Sequence, residues 1–237
     1  MINDLSTAIS IISIVLLPSL FIFILYRFLI EVFISISLSI QQAAIITLFI
    51  IISTFFPNIL FPLSDPIILF NYSYWEIGIH PIGFVMPVLI SSFLLYKKKP
   101  SLYFLLALIP VSLMAYISTS AVVNKGIVSP FPLFLFPSIM AATIPVLAKE
   151  KFGEQTCLYA FSLAVFGIII GADIGHFSQL INNHTIYSSI QAIFGGASGF
   201  DLILLSGIFA VLFVKLFFYL IEFFKINQYE IINHVNT

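Results

Sequence analysis

The chain has 237 residues, of which 61% are hydrophobic and 8% carry a charged side chain, with a formal net charge of -1. A soluble domain of this length needs far more surface charge, so the composition indicates an integral membrane protein. The charges form no basic patch, which argues against nucleic-acid binding, and the single cysteine, Cys157, excludes an internal disulfide and a multi-cysteine metal site.

Seven apolar stretches of about 20 residues predict an all-α fold, a polytopic bundle of transmembrane helices in a single domain. The first stretch follows no basic signal region, so we interpret it as an uncleaved span. Runs of this length differ from the alternating strands of a membrane barrel. In chain order, the predicted spans are residues 8–30, 43–63, 76–96, 101–121, 127–148, 157–178 and 200–221.

The basic residues predict the orientation, because Lys and Arg accumulate in cytoplasmic loops. With seven spans, only Lys125 falls on the other side from the remaining basic residues, Arg27, Lys97, Lys98, Lys99, Lys149, Lys151, Lys215 and Lys225. This places the N-terminus outside and the C-terminus in the cytoplasm of a multi-pass cell-membrane protein. Two N-glycosylation patterns, Asn71-Tyr72-Ser73 and Asn183-His184-Thr185, fall in predicted outer loops.

The sixth predicted span contains an acidic residue, Asp173, between Gly171 and Gly175. A carboxylate inside a bilayer costs about 2.5–3.5 kcal/mol, so a functional role is the default hypothesis. Asp173 lies about 24 Å along its span, in the outer half, at 1.5 Å per residue. His176 shares its helix face at i,i+3 spacing. Hydrogen bonding within the fold is the structural alternative for Asp173.

The seventh span opens with a glycine-rich segment that contains Gly195, Gly196 and Ser198 and leads to Asp201. We expect Asp201 in the first helical turn, on the same side of the membrane as Asp173, because consecutive antiparallel spans are normally neighbours. Two carboxylates that touch would share a proton and titrate as a pair. In the structural alternative, Ser198 is the helix N-cap and Asp201 completes a capping box.

Further polar residues are predicted near the same outer surface. Glu76 and His80 lie at i,i+4 spacing at the beginning of the third predicted span. We therefore predict Asp173 and Asp201 as catalytic residues, with substrate or ion binding by His176, His80, Gly195, Gly196 and Ser198. Ordinary interfacial placement is the alternative for the histidines, and a flexible turn is the alternative for the glycines.

Several sequence blocks resemble a known family. The blocks are Gly171-Ala172-Asp173, the segment from Gly195 to Asp201 with Ser206-Gly207-Ile208, the segment from Ile77 to Gly83 with Pro87, and the turn from Gly126 to Pro130. They are similar to the signature of the domain-of-unknown-function 1614 family, multi-spanning proteins of archaea and bacteria. A more distant resemblance is to presenilin-type intramembrane aspartyl proteases, which carry one catalytic aspartate on each of two neighbouring helices.

These observations leave several functions open. The first is an intramembrane aspartyl hydrolase or protease, with Asp173 and Asp201 as acid and base acting on a membrane peptide. The second is a proton- or ion-coupled transporter. A metal site of Asp173, His176, His80 and Asp201 is a third, and a structural or accessory membrane protein is the fourth. We expect no cofactor, and we expect the lipid bilayer as the surrounding partner.

Overall fold

A computed structural model describes residues 2–56, 59, 65–72, 75–100, 102–122, 126–182, 190–197, 199 and 201–235 of the chain. The fold is mostly helical, but it is not all-α as predicted, because two small β-sheets lie among the helices. Of the residues used in the sequence predictions, Ser198, Lys125, part of the first glycosylation pattern and all of the second fall outside the described residues.

Within the described ranges, nine α-helices form seven helical bodies. The bounds of the helices are α1 Ile2–Ser35, α2 Ile40–Phe55, α3 Met86–Lys98, α4 Leu102–Ser118, α5 Phe136–Leu147, α6 Lys149–Phe152, α7 Thr156–Ile168, α8 Gly175–Asn182 and α9 Leu202–Val235. The bodies are fewer than the helices because α6, α7 and α8 follow one another as the single body Lys149–Asn182. A π-helical segment, Pro81–Val85, leads into α3, and a second, Ile169–Ile174, joins α7 to α8. Each predicted span overlaps one of these bodies.

Four of the helical bodies are long and apolar enough to cross a membrane: Leu16–Ser35, Pro81–Lys98, Lys149–Asn182 and Leu202–Lys225. The other three, Ile40–Phe55, Leu102–Ser118 and Leu133–Leu147, are shorter apolar helices. A helix of 17 residues is about 26 Å long, slightly less than the hydrocarbon core of about 30 Å. The described chain is therefore a membrane protein with four candidate spanning helices.

The first sheet has the strand order β1-β2-β5. β1 (Ile67–Tyr72) pairs antiparallel with β2 (Trp75–Ile79), and β2 pairs in parallel with β5 (Ile190–Phe194). A separate hairpin pairs β3 (Ser120–Val122) with β4 (Gly126–Val128). Strands β2 and β5 end at the same level, where the His80 N–H donates to the Phe194 carbonyl at 2.8 Å.

Two predicted helical spans therefore begin later than expected. Residues 76–79 form strand β2, and residues 126–128 form strand β4. Proline explains the first boundary, because the residue before a proline is pushed out of the helical region. His80 is accordingly extended, with φ −95° and ψ 130°, and the helix begins at Pro81. In the fifth body, the first helical turn begins only at Leu133, after Pro130 and Pro132.

The core is centred on α7, which contacts α3, α4, α5 and α9. Its Leu158, Phe161 and Leu163 side chains are fully buried. Beyond α7, the Ser138 and Ser206 hydroxyls are 2.9 Å apart and form a buried hydrogen bond between α5 and α9. This packed centre holds the π-helical segment Ile169–Ile174 and the beginning of α9 in place.

Candidate functional site

A partly open cavity of about 420 Å³ lies where the π-helical segment Ile169–Ile174, strand β5 and the beginning of α9 meet. Both predicted carboxylates, Asp173 and Asp201, line it. The remaining wall includes β5 from Gln191 onward, the turn Gly195-Gly196-Ala197, and Gly126 with Ile127 of β4. The cavity thus brings together chain segments that are far apart in sequence.

Asp173 reaches the cavity from a π-helical turn, Ile169–Ile174. Such turns are rare and occur often at functional sites, because the extra residue changes the direction of the side chains. Oxygen Oδ2 of Asp173 is buried and has no hydrogen-bond partner among the described residues. A buried polar atom without a partner costs free energy, and no structural hydrogen bond to Oδ2 from the described residues offsets that cost.

Gly171 explains how the π-helical segment that carries Asp173 can lie so close to α4. A Cβ atom at this position would collide with the backbone oxygen of Ser112 and would lie 2.8 Å from the Cβ of Ala115. Only glycine permits this approach of the two helices. The glycines that surround Asp173 therefore serve helix packing, and the carboxyl is placed by that packing.

Asp201 lies immediately before α9 and caps it, which corrects the prediction of a place in the first helical turn. Its Oδ1 accepts a hydrogen bond from the Ile203 N–H at 2.9 Å, and its backbone oxygen accepts from the Leu205 N–H. Aspartate is among the preferred N-cap residues because its short side chain reaches the free N–H groups of the first turn. Oδ2 also accepts from the Ala197 N–H at 3.2 Å.

The two carboxyl groups line the same cavity. Their surroundings differ, however. Both oxygens of Asp201 accept backbone hydrogen bonds, whereas Oδ2 of Asp173 accepts none from the described residues. The cavity therefore contains one carboxyl held by N–H donors and one whose buried oxygen has no such donor.

Gly195 and Gly196 line the cavity as part of the turn between β5 and α9. Gly195 has φ +75°, and a Cβ there would lie 2.5 Å from backbone atoms of Gly83 and Phe84. The close approach to the π-helical segment Pro81–Val85 thus requires glycine at this position. The close contacts of Gly195 indicate a turn of defined conformation, which argues against the alternative of a flexible turn.

His80 is not among the residues that line the cavity. It is buried, and its Nδ1 accepts hydrogen bonds from the backbone N–H groups of Ile82 at 3.1 Å and Gly83 at 3.3 Å. Its ring caps the π-helical segment Pro81–Val85, which gives it a structural role. Glu76 accepts from the side-chain amide of Gln191 at 3.1 Å on the sheet.

His176 is also buried and is not among the cavity-lining residues. Its ring stacks on Tyr116 with centroids 4.4 Å apart, and its Nε2 lies 3.0 Å from the Tyr116 carbonyl oxygen. Its Nδ1 lies 2.9 Å from Oε1 of Gln179. Within the described ranges, no group of three or more His, Cys, Asp or Glu side chains could hold a metal ion, so the four-residue metal site has no geometric support.

Strand β5 is the part of the site that sequence reasoning missed. Residues 190–194 are mostly apolar and follow a polar segment, so their pattern does not separate a strand from a loop. The turn at Gly126 was visible in the sequence as a glycine followed by Ser129-Pro130. Its position against the cavity depends on long-range packing and could not be predicted.

The family described as "Protein of unknown function (DUF1614)" matches residues 73–213, which is more than half of the chain. The matched range contains both cavity carboxylates, strands β2 and β5, and the glycine turn. No curated protein and no solved structure matches the chain. The comparisons thus give no support to the likeness with presenilin-type proteases.

Proposed function

The chain belongs to the DUF1614 family, whose description names no activity, and from its site we propose an intramembrane aspartyl hydrolase that cleaves membrane peptides. The observation that carries the proposal is the position of Asp173 and Asp201 in the wall of one cavity. Paired carboxyl groups activate water when one accepts a proton and the other donates one.

The hydrogen bonds favour a division of roles between the two residues. Asp201 accepts N–H bonds on both oxygens, and these bonds stabilise an ionised carboxylate, which suits the general base. Each of its oxygens keeps a further lone pair for a water molecule. Asp173 has a buried oxygen without an N–H donor, which suits the partner that holds the shared proton.

In this proposal, hydrolysis takes two steps. Asp201 removes a proton from water while the water oxygen attacks the carbonyl carbon of the peptide bond, and Asp173 gives its proton to the carbonyl oxygen. The resulting gem-diol then collapses. The C–N bond breaks, Asp201 passes its proton to the leaving nitrogen, and Asp173 recovers a proton from the diol. One water molecule is consumed, and both carboxyl groups return to their starting states.

The packing on the basic side of the cavity supports a hydrolase over a transporter. A transporter needs a polar path from Asp173 along α7 toward Lys149 and Lys151 of α6. Among the described residues, the fully buried side chains between Leu158 and Val165 are apolar apart from Ser162. The polar groups buried in this core, such as Ser138, Ser162 and Ser206, are single hydroxyls, and no charged side chain is buried there among the described residues. Such a core beside a cavity fits a site that is entered from one face.

We further propose that all seven helical bodies cross the membrane, with the N-terminus outside and the cavity on the outer side. In a Cys157→Ser background, Asp65→Cys should react with a membrane-impermeant maleimide in intact cells. Lys98→Cys, on an exposed position at the end of α3, should react only after the cells are permeabilised. Labelling in the opposite order would reverse the orientation and place the cavity on the cytoplasmic side.

The catalytic and the capping roles of Asp201 can be separated by two substitutions. Asparagine caps helices as well as aspartate does, but its single carbonyl oxygen keeps only the bond from the Ile203 N–H and loses the one from Ala197. Asp201→Asn should therefore remove the base and cost about 1 kcal/mol of stability, whereas Asp201→Ala, which loses both bonds, should remove the base and cost about 2 kcal/mol. The readout is the set of new N-termini in membrane proteins of cells that produce each form, together with thermal unfolding of the purified chains.

If Asp201 only caps α9, Asp201→Asn will yield the same new termini as the unchanged protein. That result would remove the hydrolase proposal. A loss of solute flux without any change in termini would favour transport instead.

A further inference from the structure

Strand β5 is the last strand of its sheet among those that the structure describes, so one of its edges has no strand partner there. Neighbouring residues of a strand direct their backbone N–H and C=O groups to opposite sides. The Phe194 carbonyl accepts from His80, at the end of β2, so Phe194 and Ala192 face β2. Gln191 and Ile193 therefore direct their backbone groups to the free edge.

The free edge lies at the cavity, because Gln191, Ile193 and their neighbours line it together with Asp173 and Asp201. The Ile193 carbonyl accepts from the Gly196 N–H at 3.2 Å. Among the described residues, this leaves the Ile193 N–H and both backbone groups of Gln191 for another partner. An open sheet edge is not tolerated against lipid but is tolerated where it lines a cavity. This edge is therefore a set of backbone donors and acceptors inside the site.

The free edge of β5 is also connected to the Asp201 carboxylate. The turn Gly195-Gly196-Ala197 follows β5 directly, and the Ala197 N–H donates to Oδ2 of Asp201. Across the cavity wall, Gly126 and Ile127 belong to β4, an edge strand of the second sheet. A chain lying along β5 would consequently pass the two carboxyl groups in a defined register.

We propose that the β5 edge binds the substrate as an extended polypeptide segment, added to the sheet as a further strand. The inference rests on the proposed hydrolase function and names the substrate conformation that this site accepts. An intact helix bonds its own N–H and C=O groups internally and has none to offer to β5. The substrate class is thus a membrane peptide that is unwound, or already extended, at the depth of the cavity.

The test uses the full chain in lipid nanodiscs and a labelled peptide of alternating valine and threonine, with binding followed by fluorescence anisotropy. A series of peptides carries a single N-methyl group at successive positions. Strand pairing predicts a weakening of about three- to tenfold at every second position and little change at the positions between, because alternate N–H groups face β5. A uniform weakening, no weakening, or no binding of the unmodified peptide would overturn the proposal.

A second arm changes the protein. Ile193→Pro removes the edge N–H, and proline is tolerated on the free side of an edge strand. It should weaken binding of the unmodified peptide at least about fivefold, whereas the matched Ile193→Val, which keeps the N–H, should bind as the unchanged protein does. Equal binding by both variants would contradict the strand site, provided that thermal unfolding shows both folded. If Ile193→Pro does not fold, the N-methyl series decides alone.

The two proposals fail separately in these experiments. A peptide that binds with the alternating pattern but is never cut leaves the strand site in place and removes the hydrolase. New termini that depend on Asp173 and Asp201, together with N-methyl peptides that bind without alternation, leave the hydrolase in place and remove the strand site.

Discussion

Replacing Asp173 by Asn should abolish peptide cleavage and leave the helical fold intact. The asparagine side chain has nearly the same shape, so the contacts of the π-helical segment Ile169–Ile174 are kept, but it has no carboxyl proton to give. Loss of a general acid typically slows a reaction by about 10² to 10⁴-fold. Because paired groups act as a unit, adding Asp201→Asn should cause little further loss. Quantitative detection of new N-termini in membranes measures both effects.

The matched control is Asp65→Asn, which makes the same chemical change at an exposed acid that does not line the cavity. It should give the same termini as the unchanged chain. If Asp173→Asn also gives them, at equal protein level, then the carboxyl has no part in catalysis. If the new N-termini disappear in Asp173→Asn, in the double variant with Asp201→Asn and also in Asp65→Asn, the cause is a general effect of removing negative charge.

Replacing Gly171 by Leu should produce the largest loss of stability of any single change considered. A Cβ at this position meets the Ser112 backbone oxygen and the Ala115 Cβ, neither of which can rotate away. Overpacking of this kind costs about 1–3 kcal/mol and occasionally more, and a backbone contact places this case at about 3 kcal/mol or above. The measurement is the midpoint of thermal unfolding, followed by the far-UV signal of the helices.

Ile174→Ala provides the comparison in the same π-helical segment, because the Ile174 side chain is 58% exposed. It should change the free energy of unfolding by less than about 0.5 kcal/mol. Gly171→Ala should fall between the two variants. An unfolding midpoint for Gly171→Leu equal to that of Ile174→Ala would show that α4 and the π-helical segment do not pack as described.

The sequence was most informative about the two acids. Asp173 and Asp201 are conspicuous because carboxylates are rare in apolar chains, and both line the cavity. The prediction that Asp201 lies in the first helical turn was wrong, because a helix capped by Ser198 and a helix capped by Asp201 have similar sequence patterns. Local patterns identify a helix beginning within a few residues and do not choose between neighbouring caps.

The sheet could not be predicted for a different reason. Strand β2 pairs with β5 across more than a hundred residues, with Glu76 opposite Gln191. No local periodicity records such a pairing, and an apolar strand before Pro81 resembles the first turn of a span. The i,i+4 spacing of Glu76 and His80 likewise assumes a helix, whereas Glu76 lies in β2 and His80 follows it in an extended conformation. His176 does lie on a helix, but its stacking partner, Tyr116, belongs to another helix, and no local spacing records that contact.

Because α9 is long, a movement at its capped end, next to Asp201, is enlarged at its other end. Its 34 residues span about 51 Å, well beyond a hydrocarbon layer of about 30 Å. The residue before this long helix, Asp201, is hydrogen-bonded to Ala197 in the turn after β5. A tilt of about 5° at that end displaces the far end by about 4 Å. A ligand that fills the cavity and shifts the Asp201 cap would therefore also displace the far end of α9.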